Sequence, residues 1–126
     1  MRAVDTNVLV RLVTGDDSAQ VAVAEKFVAE GVWVSHVVLA EMVWVLTASY
    51  NFDAQRILGV MEMLLAHKAL AFQEPEVVAA ALETFRNKPA PGFADCLLLE
   101  IARKAGHLPL GTFDRDLGKL DGAKRL

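Results

Sequence analysis

The chain has 126 residues, enough for one domain that buries roughly two-thirds of the surface its unfolded form would expose. Hydrophobic residues make up 54% of it, which excludes a disordered chain, and a single cysteine, Cys96, excludes an internal disulfide framework and fits a reducing cytoplasm. The net charge of −3 is not the basic footprint usual in a nucleic-acid binder and, taken alone, counts against one.

In chain order, "RAVDT" reads as a short strand with a polar end, and residues 6–13 as a short helix closed near Gly15. Asp16, Asp17 and Ser18 supply start residues for a helix over "AQVAVAEKFVAE", which stops at Gly31. "VWVS" is an apolar, β-branched run and is expected to be a buried strand; residues 37–49 form a mostly apolar helix after it. From Gly31 to Phe52 the only charged residue is Glu41, a length that would span a bilayer. His36, Thr47, Ser49, Tyr50 and Asn51 are scattered through that stretch, and a mid-span Glu is expensive, so a buried strand and helix are the better reading. No basic start followed by an apolar segment marks a signal peptide, and a cytoplasmic protein with no membrane association is expected.

Asp53 is expected to cap a helix running to about His67, with Ile57, Val60, Met61, Leu64 and Leu65 at helical spacing. "ALAF" is a strand, and Glu74 and Pro75 open a helix that carries Val77, Val78, Ala81, Leu82 and Phe85 on one side. "RNKPAPG" is a loop, and residues 92–105 form a helix closed by Gly106. "LPLGTF" is a strand, residues 114–120 a last short helix, and "AKRL" a final edge strand. No linker or repeat interrupts the alternation, so residues 1–126 are expected to form a single α/β domain with a mostly parallel sheet.

Four acids stand out. Glu41 has only apolar residues, Val37, Val38, Trp44 and Val45, at helical spacing, and Asp95 is followed by Leu98, Leu99 and Ala102. A carboxylate on the apolar face of a helix is costly unless it is paired, capped or metal-bound. Asp5 and Asp114 each close an apolar strand. Taken singly, N-capping of the next helix is the simpler reading for both, but the carboxyl ends of parallel strands are also where open α/β folds place their sites. If the four converge they repel one another unless a cation intervenes. Hard oxygen donors select Mg²⁺ or Mn²⁺, which suits metal-assisted hydrolysis at phosphorus.

"AVDTNVLVRLV", "VLAEMVWVL", "GFADCLLLEIARKAG" and "LGTFDRDLGKL", in that order, resemble the motifs of PIN domains of the VapC toxin family over nearly the whole chain. The resemblance implies a PIN-like fold, a small parallel sheet of four or five strands flanked by helices. It implies a Mg²⁺- or Mn²⁺-dependent endoribonuclease that leaves 5′-phosphates, with Asp5, Glu41, Asp95 and Asp114 as catalytic metal ligands. Asp116 resembles an auxiliary acid of some members, and Asn7 and Thr112 match polar positions suited to holding a ligand carboxylate or water in place. Further implied are an RNA substrate, a VapB-type antitoxin whose C-terminal segment blocks the site, and a homodimer.

Arg11 and Arg115, nearest the acidic motifs, are the leading candidates for RNA phosphate contacts, ahead of Arg86, Lys88, Lys104 and Lys119. Trp33 and Trp44 read as core residues before they read as base-stacking ones; His36, His67 and His107 have no metal-ligand spacing, and Cys96 reads as a structural thiol. Two competing readings are a phosphatase with Asp5 as the nucleophile of an aspartyl-phosphate, and a non-catalytic PIN-like module that binds RNA or protein. The first usually wants a second acid where Asn7 stands and leaves Glu41 without a role; the second gives no reason to keep four costly acids.

Overall fold

In the computed structural model, which describes Met1–Leu126, the five expected strands are present but divide between two parallel sheets. The chain falls into two units, Met1–Gln73 and Glu74–Leu126.

The first unit runs β1 (Arg2–Ala3), α1 (Thr6–Thr14), α2 (Ser18–Val28), β2 (Val32–Val34), α3 (His36–Tyr50), α4 (Ala54–Leu65) and β3 (Leu70–Phe72). Its sheet has the order β1-β2-β3, with Ala3 beside Trp33 and Trp33 beside Ala71. Local chemistry sets the helix ends. The Asp17 and Asp53 carboxylates accept from Gln20 N–H (3.0 Å) and Arg56 N–H (2.9 Å), and the Ser35 hydroxyl caps α3. Gly15, at φ +66°, ends α1 in the left-handed region where a Cβ would be strained. Leu9, Val10, Val32, Val34, Leu39, Met42, Leu46 and Met61 are fully buried. His36, the first residue of α3, is buried too; its backbone N–H donates to Gln73 Oε1 (2.9 Å) and its Nε2 lies 2.8 Å from the Gln73 carbonyl, tying α3 to the end of β3.

Two expectations about this unit are corrected. Trp33 is 40% and Trp44 69% exposed, so neither is a core residue. β2 buries Val32 and Val34 on one face and turns Trp33 to the other, beside the small Ala3 and Ala71. Helix α3 is apolar nearly all round, so its sequence does not say which stripe faces inward. It buries Leu39, Met42, Val43 and Leu46 and turns Val37, Glu41 and Trp44 outward.

The second unit runs α5 (Pro75–Asn87), α6 (Phe93–Ala105), β4 (Leu110–Thr112), a 3-10 turn (Leu117–Lys119) and β5 (Ala123–Arg125). Helices α5 and α6 pack together, with Phe85 and Phe93 edge to face at 6.1 Å. The helix expected over 114–120 shortens to the 3-10 turn: Gly118 lies so close to β5 that a Cβ there would meet the Arg125 Cβ at 2.7 Å. Arg103 holds the end of α6, donating to Glu100 (3.0 Å) and to the Asp121 carbonyl (2.7 Å). Helix α3, over the stretch checked for a membrane span, has 15 residues, and no helix is long and apolar enough to cross a bilayer.

Candidate active site

Asp5 and Asp114 hold equivalent places, each two residues past the end of a parallel strand, β1 and β4. Each also caps the helical turn that comes after it. Asp5 Oδ1 accepts from Val8 N–H at 3.4 Å, and Asp114 Oδ1 from Leu117 N–H at 2.7 Å. Capping is therefore real at both positions, and it leaves the second carboxylate oxygen of each for other work. Thr112 Oγ1 accepts from Asp114 N–H at 2.9 Å, so Thr112 fixes the backbone that carries this acid. Asn7 is exposed and makes no comparable bond to Asp5, whose carboxylate is met by Val8 instead.

Asp95 is the third residue of α6, in the first turn, where the helix dipole favours a negative charge. The helix has Gly92 at its N-cap and no side-chain cap. Burial, and then the charge of Asp114, raise the Asp95 pKa above the ordinary carboxylate value. The charge of Asp114 is thus felt at Asp95 within the second unit. Cys96, next along, is fully buried; burial first, then Asp95 and Glu100, push its thiol up to about 11. It stays protonated at neutral pH and is no nucleophile.

Glu41 departs from expectation. It lies on the exposed side of α3 between Val37 (65% exposed) and Trp44 (69%), so the cost of burying a carboxylate does not single it out. Its neighbours are apolar, but they face solvent with it. Asp116 is half-buried just before the 3-10 turn and caps nothing with its side chain.

The cations separate clearly. Arg11 Nε donates to Gln20 Oε1 at 2.6 Å and its guanidinium lies 3.9 Å from Asp16, which also accepts from the Tyr50 hydroxyl at 2.7 Å. Arg11 therefore links α1 to α2, beside a groove lined by Val8, Val23, Ala24 and Phe27 that reaches Asp5. Lys104 bridges Glu74 (2.7 Å) and Glu76, which raise its pKa. Arg115 is exposed, and Arg103 reaches the Asp121 segment. One residue carried no signal in the sequence. Phe113, expected at the end of a strand, stands 81% exposed between Thr112 and Asp114.

No group of three or more His, Cys, Asp or Glu side chains lies close enough together to hold a metal ion. The Asp95–Asp114 pair nevertheless fits a hard divalent cation in kind: two oxygen donors whose mutual repulsion a cation would relieve. No curated protein and no solved structure matches the chain. The sequence does match the family model of the PIN domain over residues 2–123, and PIN domains are in general metal-dependent nucleases. With nearly its whole length covered and an α/β fold of six helices and small parallel sheets, the chain belongs to the PIN domain family.

Proposed function

We propose that this nuclease-family protein is a VapC-type toxin, an endoribonuclease that hydrolyses RNA phosphodiesters with Mg²⁺ or Mn²⁺ and leaves 5′-phosphates. The observation that carries the reading is Asp95 in the first turn of α6, a part-buried carboxylate made less acidic first by that burial and then by the charge of Asp114. Structural ion pairs lower a carboxylate's pKa; burial and a like charge raise it and cost stability, which suits a site kept for a cation. Asp95 and Asp114 would hold the metal, and the sequence motifs assign Asp5 and Glu41 to the same task. Bound there, the ion would supply an activated water and charge stabilisation for in-line displacement at phosphorus.

The chain's own contribution is placement. Thr112 and the Leu117 N–H hold the Asp114 backbone and one of its carboxylate oxygens, so the acid loses little freedom on meeting a ligand. Asp116 is an auxiliary acid in this reading, and Arg115 is the exposed cation nearest the pair in sequence. A VapB-type antitoxin, a homodimer and a cytoplasmic setting complete the proposal, on the strength of the motifs.

The test is end analysis of RNA cut by purified protein with Mn²⁺, beside Asp95→Asn. Fragments with 5′-phosphates that vanish in the variant support the reading. Fragments with 2′,3′-cyclic ends, or equal cutting by the variant, contradict it.

A further inference from the structure

We propose that the groove between α1 and α2 is a binding site for a small amphiphile, an alkyl chain of medium length ending in a carboxylate. The two helices are joined by only three residues, 15–17, and so run antiparallel as a hairpin. Arg11 therefore stands opposite Gln20, and the 2.6 Å bond from its Nε to Gln20 Oε1 fits that alignment. Val8 then faces Val23 and Ala24, and the Asp5 end of α1 lies toward Phe27. The space so enclosed is about 610 Å³, inside the ~300–1,000 Å³ typical of sites that take small molecules. Its middle is apolar and its polar groups stand at the two ends, Arg11 and Gln20 at one, Asp5 and Asn7 at the other.

Length and charge select the occupant. The Arg11–Gln20 bond crosses from one helix to the other and stops the groove at the hairpin end. At the far end Arg2 lies over the Phe27 ring at 3.8 Å and donates to the Phe27 carbonyl at 3.1 Å. Gln20 and Phe27 are separated by roughly 10 Å of helix rise, the length of an alkyl chain of about eight carbons. A partner helix lying along the groove would run past both stops, whereas a chain of this length ends at them. The head belongs at Arg11. Its side chain is 25% exposed, so it meets a group that enters the groove rather than a polymer backbone crossing the surface. Nη1 stands 3.9 Å from Asp16, beyond hydrogen-bond reach, and Asp16 is already engaged by the Tyr50 hydroxyl at 2.7 Å. The terminal N–H groups of the guanidinium can therefore fork onto a carboxylate, and Gln20 has its amide N–H groups left to donate beside them. Asp5, about 9 Å of helix rise away, repels an anion and leaves the tail for the Phe27 end.

Isothermal titration calorimetry of the full chain in chelator, with octanoate and with octan-1-ol, tests the site. Octanoate is expected to saturate at one per chain and to bind roughly 10- to 150-fold more tightly than the alcohol, the worth of hydrogen bonding to a charged group. Arg11→Gln should remove that preference and leave acid and alcohol nearly equal. Val23→Glu sets a charge in the apolar wall and should abolish saturable uptake of octanoate. Val23 is 71% exposed, so thermal melts of this variant and wild type should coincide. Ala19→Trp, at another exposed position on the groove, fills the space without a charge and should block octanoate as well. Octanoate that does not saturate, equal affinity for acid and alcohol in wild type, or octanoate affinity unchanged by both Val23→Glu and Ala19→Trp would overturn the proposal. Uptake of acid and alcohol alike by every form would overturn it too, and would assign the heat to adsorption on exposed apolar surface. Neither metal nor RNA enters the measurement, so the site stands or falls separately from the ribonuclease reading.

Discussion

Asp114 and Asp5 each combine a cap with a proposed ligand role, and substitution by Asn or by Ala separates the two. Asparagine keeps an oxygen that can accept the backbone N–H; alanine does not. The Asp114 cap is short, 2.7 Å to Leu117 N–H, whereas Asp5 stands 3.4 Å from Val8 N–H, near the limit of a useful bond. Removing a cap costs about 0.5–2 kcal/mol. Asp114→Ala should therefore fall in the upper half of that span and Asp5→Ala at or below its lower end. For a chain of 126 residues, ~1 kcal/mol moves the melting temperature by about 3–6 °C. Asp114→Asn should lie within about 0.5 kcal/mol of wild type. Cleavage should behave differently, falling at least about a hundredfold in all four variants, because even residues that merely support a metal ligand are worth 10- to 100-fold. The assay is a pair of measurements on each protein: thermal melts in chelator, and RNA cleavage in Mn²⁺. The reasoning fails if Asp5→Ala destabilises more than Asp114→Ala, or if Asp114→Asn melts as low as Asp114→Ala. Full cleavage by Asp114→Asn would remove that residue from the chemistry.

The same geometry sets three other outcomes. Asp95 has a raised pKa in the folded state, so between the ordinary carboxylate value and the raised one the folded chain binds more protons than the unfolded. Metal-free stability conferred by this group is present below that window and declines as pH rises through it, and Asp95→Asn should remove the decline. Melts across the acidic range check this, and a wild type that gains on Asp95→Asn as pH rises would contradict it. Arg11→Ala should loosen the α1–α2 link, costing under about 1 kcal/mol, and leave the salt dependence of RNA binding unchanged, because Gln20 and Asp16 already engage the guanidinium; a flatter salt slope would restore Arg11 as a phosphate contact. Phe93→Ala empties a fully buried site against Phe85 two residues before Asp95 and should cost about 3–5 kcal/mol in a urea melt. A cost under about 1 kcal/mol would mean that the α5–α6 core closes over the gap.

Sequence chemistry located the elements well where the signal was local. Asp17, Asp53, Gly15 and Gly106 mark helix ends by hydrogen bonding and by left-handed backbone, and each does so in the structure. It failed where the deciding contact lay elsewhere in the chain. Helix α3 has apolar residues on every side, so nothing in its pattern said that Glu41 and Trp44 face outward. The turn at Leu117–Lys119 reads as a longer helix in sequence because the approach of Arg125 to Gly118 is a tertiary fact. The pairing that distributes five strands over two sheets is likewise not written in any one strand. At the candidate site, capping by Asp5 and Asp114 was legible from their place after apolar strands. The Asp95–Asp114 interaction was legible only through the motifs, and Phe113 was hidden by its β-favouring type at the end of "LPLGTF".

Cleavage of a pool of structured RNAs by the purified protein, with Mg²⁺ or Mn²⁺ and with chelator, beside Asp5→Asn, tests the central claim most directly. The ribonuclease account predicts cutting that requires metal, leaves 5′-phosphates and disappears in the variant. Wild type and variant behaving alike with every metal would contradict it, and would leave Asp5 and Asp114 as caps of the turns that follow them, in a module that binds without cutting.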